Sequence, residues 1–184
     1  MLQLTRIVRR KKKRFTLIEL LAVIVILALI MAVVIPNVTW SLNNSKLSTL
    51  HSKEKSLTNS FSEAIITHQF ASDMSGITSH ITDDDVNKIE TTSGLVCLNG
   101  LSSTLKKFVE LNDTDYVLGG TPLAGNADPS STNMRNAASN VCSAVRTKDG
   151  VVEVVLVAKS GGRFFYPGKT ITYAWSVDTK GTAA

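Results

Sequence analysis

Apolar residues occupy nearly every position from Phe15 to Ile35, and Glu19 is the one charged side chain among them. At about 1.5 Å per residue this run reaches about 32 Å as a helix, the thickness of a bilayer's hydrocarbon core. The pattern predicts a membrane-spanning helix. Beyond Pro36 the pattern changes: Leu42, Leu47, Leu50, Leu57, Phe61, Ile65 and Phe70 recur at helical spacing, with Lys46, Lys53, Glu54, Lys55 and Glu63 between them. This second stretch is amphipathic. Pro36 lacks an amide proton and disfavours helix at the residue before it, so it marks either a kink in one long helix or a joint between two. A helix that is apolar all round and then apolar on a stripe suits a first half lying among other apolar helices and a second half backing a globular head.

The remaining pattern is that of a small α+β head. Residues 72–82 read as a loop, after which Thr82 caps a short helix over 83–89, with Asp83, Asp84 and Asp85 at its positive end. A second short helix is expected over 103–111, where Leu101, Leu105, Phe108 and Val109 share a face, and Asn112 to Asp115 ends it. Residues 119–131 are turn-rich and read as an exposed loop, and Met134, Ala137, Ala138, Val141 and Val145 suggest a further helix. Residues 151–158 are dense in β-branched side chains and form the strongest strand signal. Residues 170–177 alternate Ile171, Tyr173, Trp175 and Val177 with smaller or polar neighbours, giving an antiparallel partner; Phe164, Phe165 and Tyr166 offer a third strand. The expected architecture is a long kinked N-terminal helix, transmembrane then amphipathic, packed against a small antiparallel sheet with short accessory helices.

Charge sharpens this picture. The formal net charge is +5, yet Arg6, Arg9, Arg10, Lys11, Lys12, Lys13 and Arg14 all precede the apolar run, so the rest of the chain is net acidic. By the positive-inside rule the leader stays cytoplasmic and the head is sent across the membrane. Four segments follow: a basic leader (1–14), a transmembrane half-helix (15–36), an amphipathic half-helix (37–70) and a head (71–184). A secretory signal fits less well, because the run exceeds a 7–15-residue apolar region, contains Glu19 and lacks a small-x-small cleavage site.

Candidate chemistry is sparse. Cys97 and Cys142, both in the exported part, are compatible with one disulfide or with two buried thiols. His51 and His68 read as surface or groove residues, and with His80 they form no metal motif. A helix start explains the acidic triplet at 83–85 more simply than calcium does, and the stretch 112–115 lacks the glycine and later bidentate glutamate of an EF-hand, so no metal or cofactor is expected. No nucleophile elbow or phosphate-binding loop occurs, and an enzyme is not expected. Nucleic acid is the rival partner: Lys106, Lys107, Arg135, Arg146, Lys148, Arg163 and Lys169 would form a basic surface if the fold gathers them near Phe164, Phe165 and Tyr166.

The basic block ending at Arg14, then Phe15, Glu19, an apolar run and Pro36, resembles the amino-terminal signature of type IV prepilins and pseudopilins. The resemblance implies removal of the leader between Arg14 and Phe15 by a membrane prepilin peptidase and methylation of the new Phe15 amine. It makes Glu19 the assembly residue, facing the Phe15 amine of a neighbouring subunit, and Pro36 the kink. A lone acidic group in a membrane costs about 2.5–3.5 kcal/mol on insertion scales, so such a pair would compensate an otherwise expensive charge. Alternatively, Glu19 simply reaches headgroups near the membrane edge. One position departs from the family pattern: Arg14 stands where the family has Gly or, less often, Ala.

The implied protein is a structural subunit of a type IV pilus, a competence pilus or a type II secretion pseudopilus. Its partners would be copies of itself or related pilins, the prepilin peptidase and a membrane assembly platform. It would sit in the cytoplasmic (inner) membrane as a single-pass precursor, N-terminus inside, and then in a cell-surface filament. The alternatives are an unprocessed, membrane-anchored surface binding protein and a DNA-binding or adhesive minor pilin.

Overall fold

The computed structural model describes residues 15–74, 76–91, 94–123, 127–137 and 140–184; the leader with Arg14 lies outside the described residues. One helix, α1 (Leu17–Asp73), runs through both halves expected from the sequence, with Pro36 inside it. Around the proline, Asn37 Nδ2 donates to the Val33 carbonyl (3.1 Å) and Thr39 Oγ1 to that of Ile35 (3.0 Å). These polar side chains are thereby satisfied within the helix itself, without water. The chain divides into two compact units, Met1–Ser41 and Leu42–Ala184.

In the first unit every described side chain, from Phe15 to Ser41, is exposed. In the second unit α1 buries Leu50, Leu57, Phe61, Ala64 and Ile65, together with Asn43, His51 and Glu54. Leu42 and Phe70, read from spacing as part of the core stripe, are exposed. The stripe is centred between them, and Glu54, expected on the polar face, falls within it. Position 54 lies four residues after Leu50 and three before Leu57, so helical geometry places it inside.

The head contains a five-stranded antiparallel sheet in sequential order: β1 (Val96–Cys97), β2 (Ala144–Lys148), β3 (Val151–Val157), β4 (Thr172–Trp175) and β5 (Thr182–Ala183). The helix expected across 134–145 is not formed. Instead α4 (Ser131–Asn136) is short, capped by Ser130 Oγ accepting from the Asn133 amide, and β2 begins at Ala144. The reason is local: Asp149 and Gly150 both have positive φ, 52° and 77°, as a two-residue turn matching strand twist demands. That turn folds β2 back on β3, with Lys148 opposite Val151 and Ala144 opposite Val155. Phe164, Phe165 and Tyr166 form turns and irregular chain rather than a strand.

Both faces of the sheet are covered. Val145, Val154, Leu156 and Ala174 pack toward α1. Ala144, Val155, Val157 and Tyr173 pack on the other side with Leu123, Met134, Val141 and Ile171. Residues 119–131, expected to be an exposed loop, therefore contribute buried Leu123 and Pro129. A strand whose two faces are both apolar, as β3 is from Val154 to Val157, needs cover on both sides.

Helix α2 (Asp83–Thr91) starts in a reciprocal cap: Thr82 Oγ1 accepts from the Asp85 amide (3.2 Å) and donates to Asp85 Oδ2 (2.8 Å). The second oxygen of Asp85 accepts from the Ser102 amide (2.9 Å), where Ser102 caps α3 (Ser103–Phe108). Expected to reach residue 111, α3 is ended by Glu110, which adopts φ 51°.

At the C-terminal edge, a Cβ on Gly181 would lie 2.5 Å from the Leu47 carbonyl oxygen of α1. Gly181→Ala is therefore expected to cost about 1–3 kcal/mol and to loosen β5 first, because a backbone atom must move. Urea unfolding of the full chain in detergent checks this; an unchanged midpoint would show that the contact yields freely.

Candidate functional site

The N-terminus of α1 is built by a short motif, Thr16-Leu-Ile-Glu19. Phe15 and Thr16 precede the helix, and Thr16 acts as its cap. Glu19 Oε2 accepts from both the Thr16 amide (2.9 Å) and the Thr16 hydroxyl (2.9 Å), while Thr16 Oγ1 accepts from the Glu19 amide (3.3 Å). This is a capping box, in which cap and third residue satisfy each other's exposed donors. In the sequence this carboxylate reads only as a membrane-edge or assembly charge, and the Thr-x-x-Glu spacing that also marks a cap went unused. The box holds Glu19 one turn from Phe15, and among the described residues it engages the carboxylate through Oε2.

Around this terminus the helix is uncovered. Leu17 is 83% exposed and Ile18 73%, and the large apolar side chains continue exposed through Val34, Ile35 and Val38 to Trp40. By length and composition α1 is apolar enough to cross a membrane, and its apolar window is wholly unburied within the chain. A surface of this extent requires lipid or other apolar helices as cover.

The described residues of the head form several rigid attachments. Cys97 and Cys142 are joined by a disulfide with Cα atoms 5.7 Å apart, tying β1 to the segment that enters β2. Arg146 is buried and bridges Asp128 (2.6 Å) and Glu153 (2.7 Å), fastening the covering segment to the sheet. Buried Asp115 binds the Arg163 guanidinium, which holds its carboxyl below the usual carboxylate range. Lys148 also reaches Asp128 (3.3 Å), and Lys106 donates to the Asn99 carbonyl (3.2 Å). Of the cations considered for a basic surface, Arg146 is buried, and Lys148, Arg163 and Lys106 are engaged by groups of the head.

The histidines also find places that spacing did not indicate. His51 is buried on α1. His68 is half-buried and links Ser79 Oγ (3.0 Å) to Asp83 Oδ1 (2.9 Å). These three residue types suggest hydrolytic chemistry, but Ser79 donates its proton to the Ile81 carbonyl (2.7 Å), so His68 does not receive it. The arrangement pins the loop after α1. A groove of about 550 Å³ beside α1 carries Lys53, Ser56, Ser60, Tyr116 and Arg163. Among the described residues no three His, Cys, Asp or Glu side chains are grouped to hold a metal ion.

Comparison with known families places a match at this same terminus: a family model for the prokaryotic N-terminal methylation motif covers residues 9–35. Comparisons with curated proteins and with solved structures give no match. The matched stretch contains Arg14, Phe15, the Thr16–Glu19 box and the apolar run up to Ile35, and leaves the head outside it. The chain therefore carries, in its N-terminal segment, the type IV pilin and pseudopilin signature.

Proposed function

We propose that this protein is a structural subunit of a type IV pilus-like filament, held in the cytoplasmic membrane as a single-pass precursor and assembled through the apolar half of α1. The observation that carries this reading is the coincidence of the methylation motif with an apolar helix half that is exposed among the described residues. In the filament, neighbouring helices cover it. The leader is removed before Phe15, and the freed amine of one subunit meets Glu19 of the next. Pro36 allows α1 to bend between the packed and head-bearing halves. Within the class, a type IV pilus, a competence pilus and a type II secretion pseudopilus all fit, since the motif is common to them.

The test is the N-terminal sequence and intact mass of protein from a sheared cell-surface fraction. A chain starting at Phe15, with or without one methyl group, is the expected result. Full-length chain confined to membranes would overturn it and favour the second reading, a permanently anchored surface protein. Arg14, bulky where the family has a small residue, is the observation that favours that reading.

A further inference from the structure

Deep in the head, α1 carries two ionisable side chains that its apolar stripe does not explain. Glu54 is fully buried and His51 is 8% exposed. One Glu54 oxygen accepts from Thr58 Oγ1 (2.6 Å). The other, Oε2, lies 3.6 Å from His51 Nδ1, and it and both His51 ring nitrogens are buried without a hydrogen-bond partner. Such groups are expensive to bury, and a charged one more so.

The C-terminal edge of the sheet closes against this same part of α1. Gly181 abuts the Leu47 backbone, four residues before His51. Asp178, in the turn between β4 and β5, bears electrostatically on both His51 and Glu54, and Lys55 on α1 does the same with opposite sign. The strand residues facing this part of α1, Val154, Leu156 and Ala174, are apolar. Among the described residues Lys55 favours the Glu54 carboxylate, whereas Asp178 works against it.

We propose that His51 and Glu54 hold a single proton between them, and that this proton latches the C-terminal segment, residues 176–184, onto α1. With one proton, the pair is either neutral acid beside neutral imidazole or a compensated ion pair, and a small approach from 3.6 Å closes the hydrogen bond. Without it, a bare carboxylate faces Asp178 in an apolar wall. The turn bearing Asp178 is the element that relieves this by moving away, because α1 and β3 are held by the core. The latch concerns the head alone and is independent of the filament reading.

The direction of the pH effect follows from burial, the main cause that raises the Glu54 carboxyl from 4.5 to about 7, with Asp178 adding to it. A raised value means that the closed state binds the proton more tightly than the open one. The stabilisation is fully present below pH 4.5 and is lost as pH rises through about 7. His51 is shifted downward, burial again leading, so it resists taking the second proton on the acid side.

Amide hydrogen exchange on the full chain in detergent micelles, corrected for intrinsic rates, tests the latch between pH 5.5 and 8.5. Protection at Ala184, whose amide bonds the Ile171 carbonyl, is expected to fall by up to about 30-fold relative to β3 amides, the lowered His51 reducing the acid-side gain. Glu54→Gln keeps the side chain neutral and is expected to abolish the loss of protection between about pH 7 and 8.5, leaving only the acid-side fall that the lowered His51 produces. Asp178→Asn, a change in a surface turn, is expected to shift the wild-type transition to lower pH, because it removes a charge that favours the protonated form. A wild-type profile in which the edge and β3 respond alike to pH would overturn the proposal. So would an unmoved transition in Asp178→Asn.

Discussion

Glu19→Gln is expected to leave the subunit folded and membrane-inserted while reducing sheared filament yield more than tenfold. The two roles of Glu19 separate in this variant. Glutamine at the third helical position still accepts from the Thr16 amide, so the capping box and its roughly 1 kcal/mol are largely kept. What is lost is the charge that would meet a neighbour's Phe15 amine. Breaking one side of a buried pair costs about 3–5 kcal/mol, and each 1.4 kcal/mol is tenfold in an equilibrium. Thr16→Ala is the counterpart, removing the cap hydroxyl and keeping the charge, and is expected to have the smaller effect. Quantifying subunit in membrane and sheared fractions for both variants decides the matter. Equal yields from Glu19→Gln and the wild type would remove Glu19 from assembly and leave it only its capping role.

Replacing Cys97 and Cys142 with serine is expected to have the largest effect on the head. The bond spans a sequence separation of 45 residues, and a loop of that length is worth about 4 kcal/mol in the chain-entropy account. Against a total of about 5–15 kcal/mol for an ordinary domain, that is a large share. The loss is expected to be uneven. β1 pairs with β2 through only Val96 and Cys97, so it depends on the cross-link, whereas β2 and β3 share a five-residue ladder. Denaturant unfolding of the full chain with and without reductant, and of the double variant, measures this. A change under about 1 kcal/mol would mean that the apolar packing around Val155, Val157 and Tyr173 holds the loop without help.

Particular elements show where local reading succeeds. The strand β3 stands out because Val151 to Val157 is rich in β-branched residues and bounded by turn residues. The cap at Thr82 is readable because a hydroxyl immediately precedes three carboxylates and then an apolar residue. The Thr16–Glu19 spacing and the Asp149–Gly150 pair, whose positive φ values only a few residue types adopt easily, carry equally local signals but formed no part of the sequence reading. Reading 134–145 as helix fails because apolar spacing alone cannot tell a helix from a short helix followed by a strand. The turn residues downstream carried the deciding information.

The apolar first half of α1, its amphipathic second half, the charge asymmetry and the N-terminal motif were determined by sequence alone, whereas the continuity of α1 through Pro36 was not. Those determined are local properties: consecutive side chains set hydropathy, periodicity and charge without any distant partner. Tertiary structure decided which residues lie against one another. It turned the 119–131 stretch into a cover for the second face of the sheet, because β3 is apolar on both sides and lacked a partner there. It drew Arg146 inward by giving it Asp128 and Glu153 together, carboxylates from two separate segments. It placed Glu54 and His51 in the core, beneath a C-terminal edge more than a hundred residues away in sequence. A buried charge's cost depends on what surrounds it in three dimensions, and that surrounding is assembled only when the chain closes on itself.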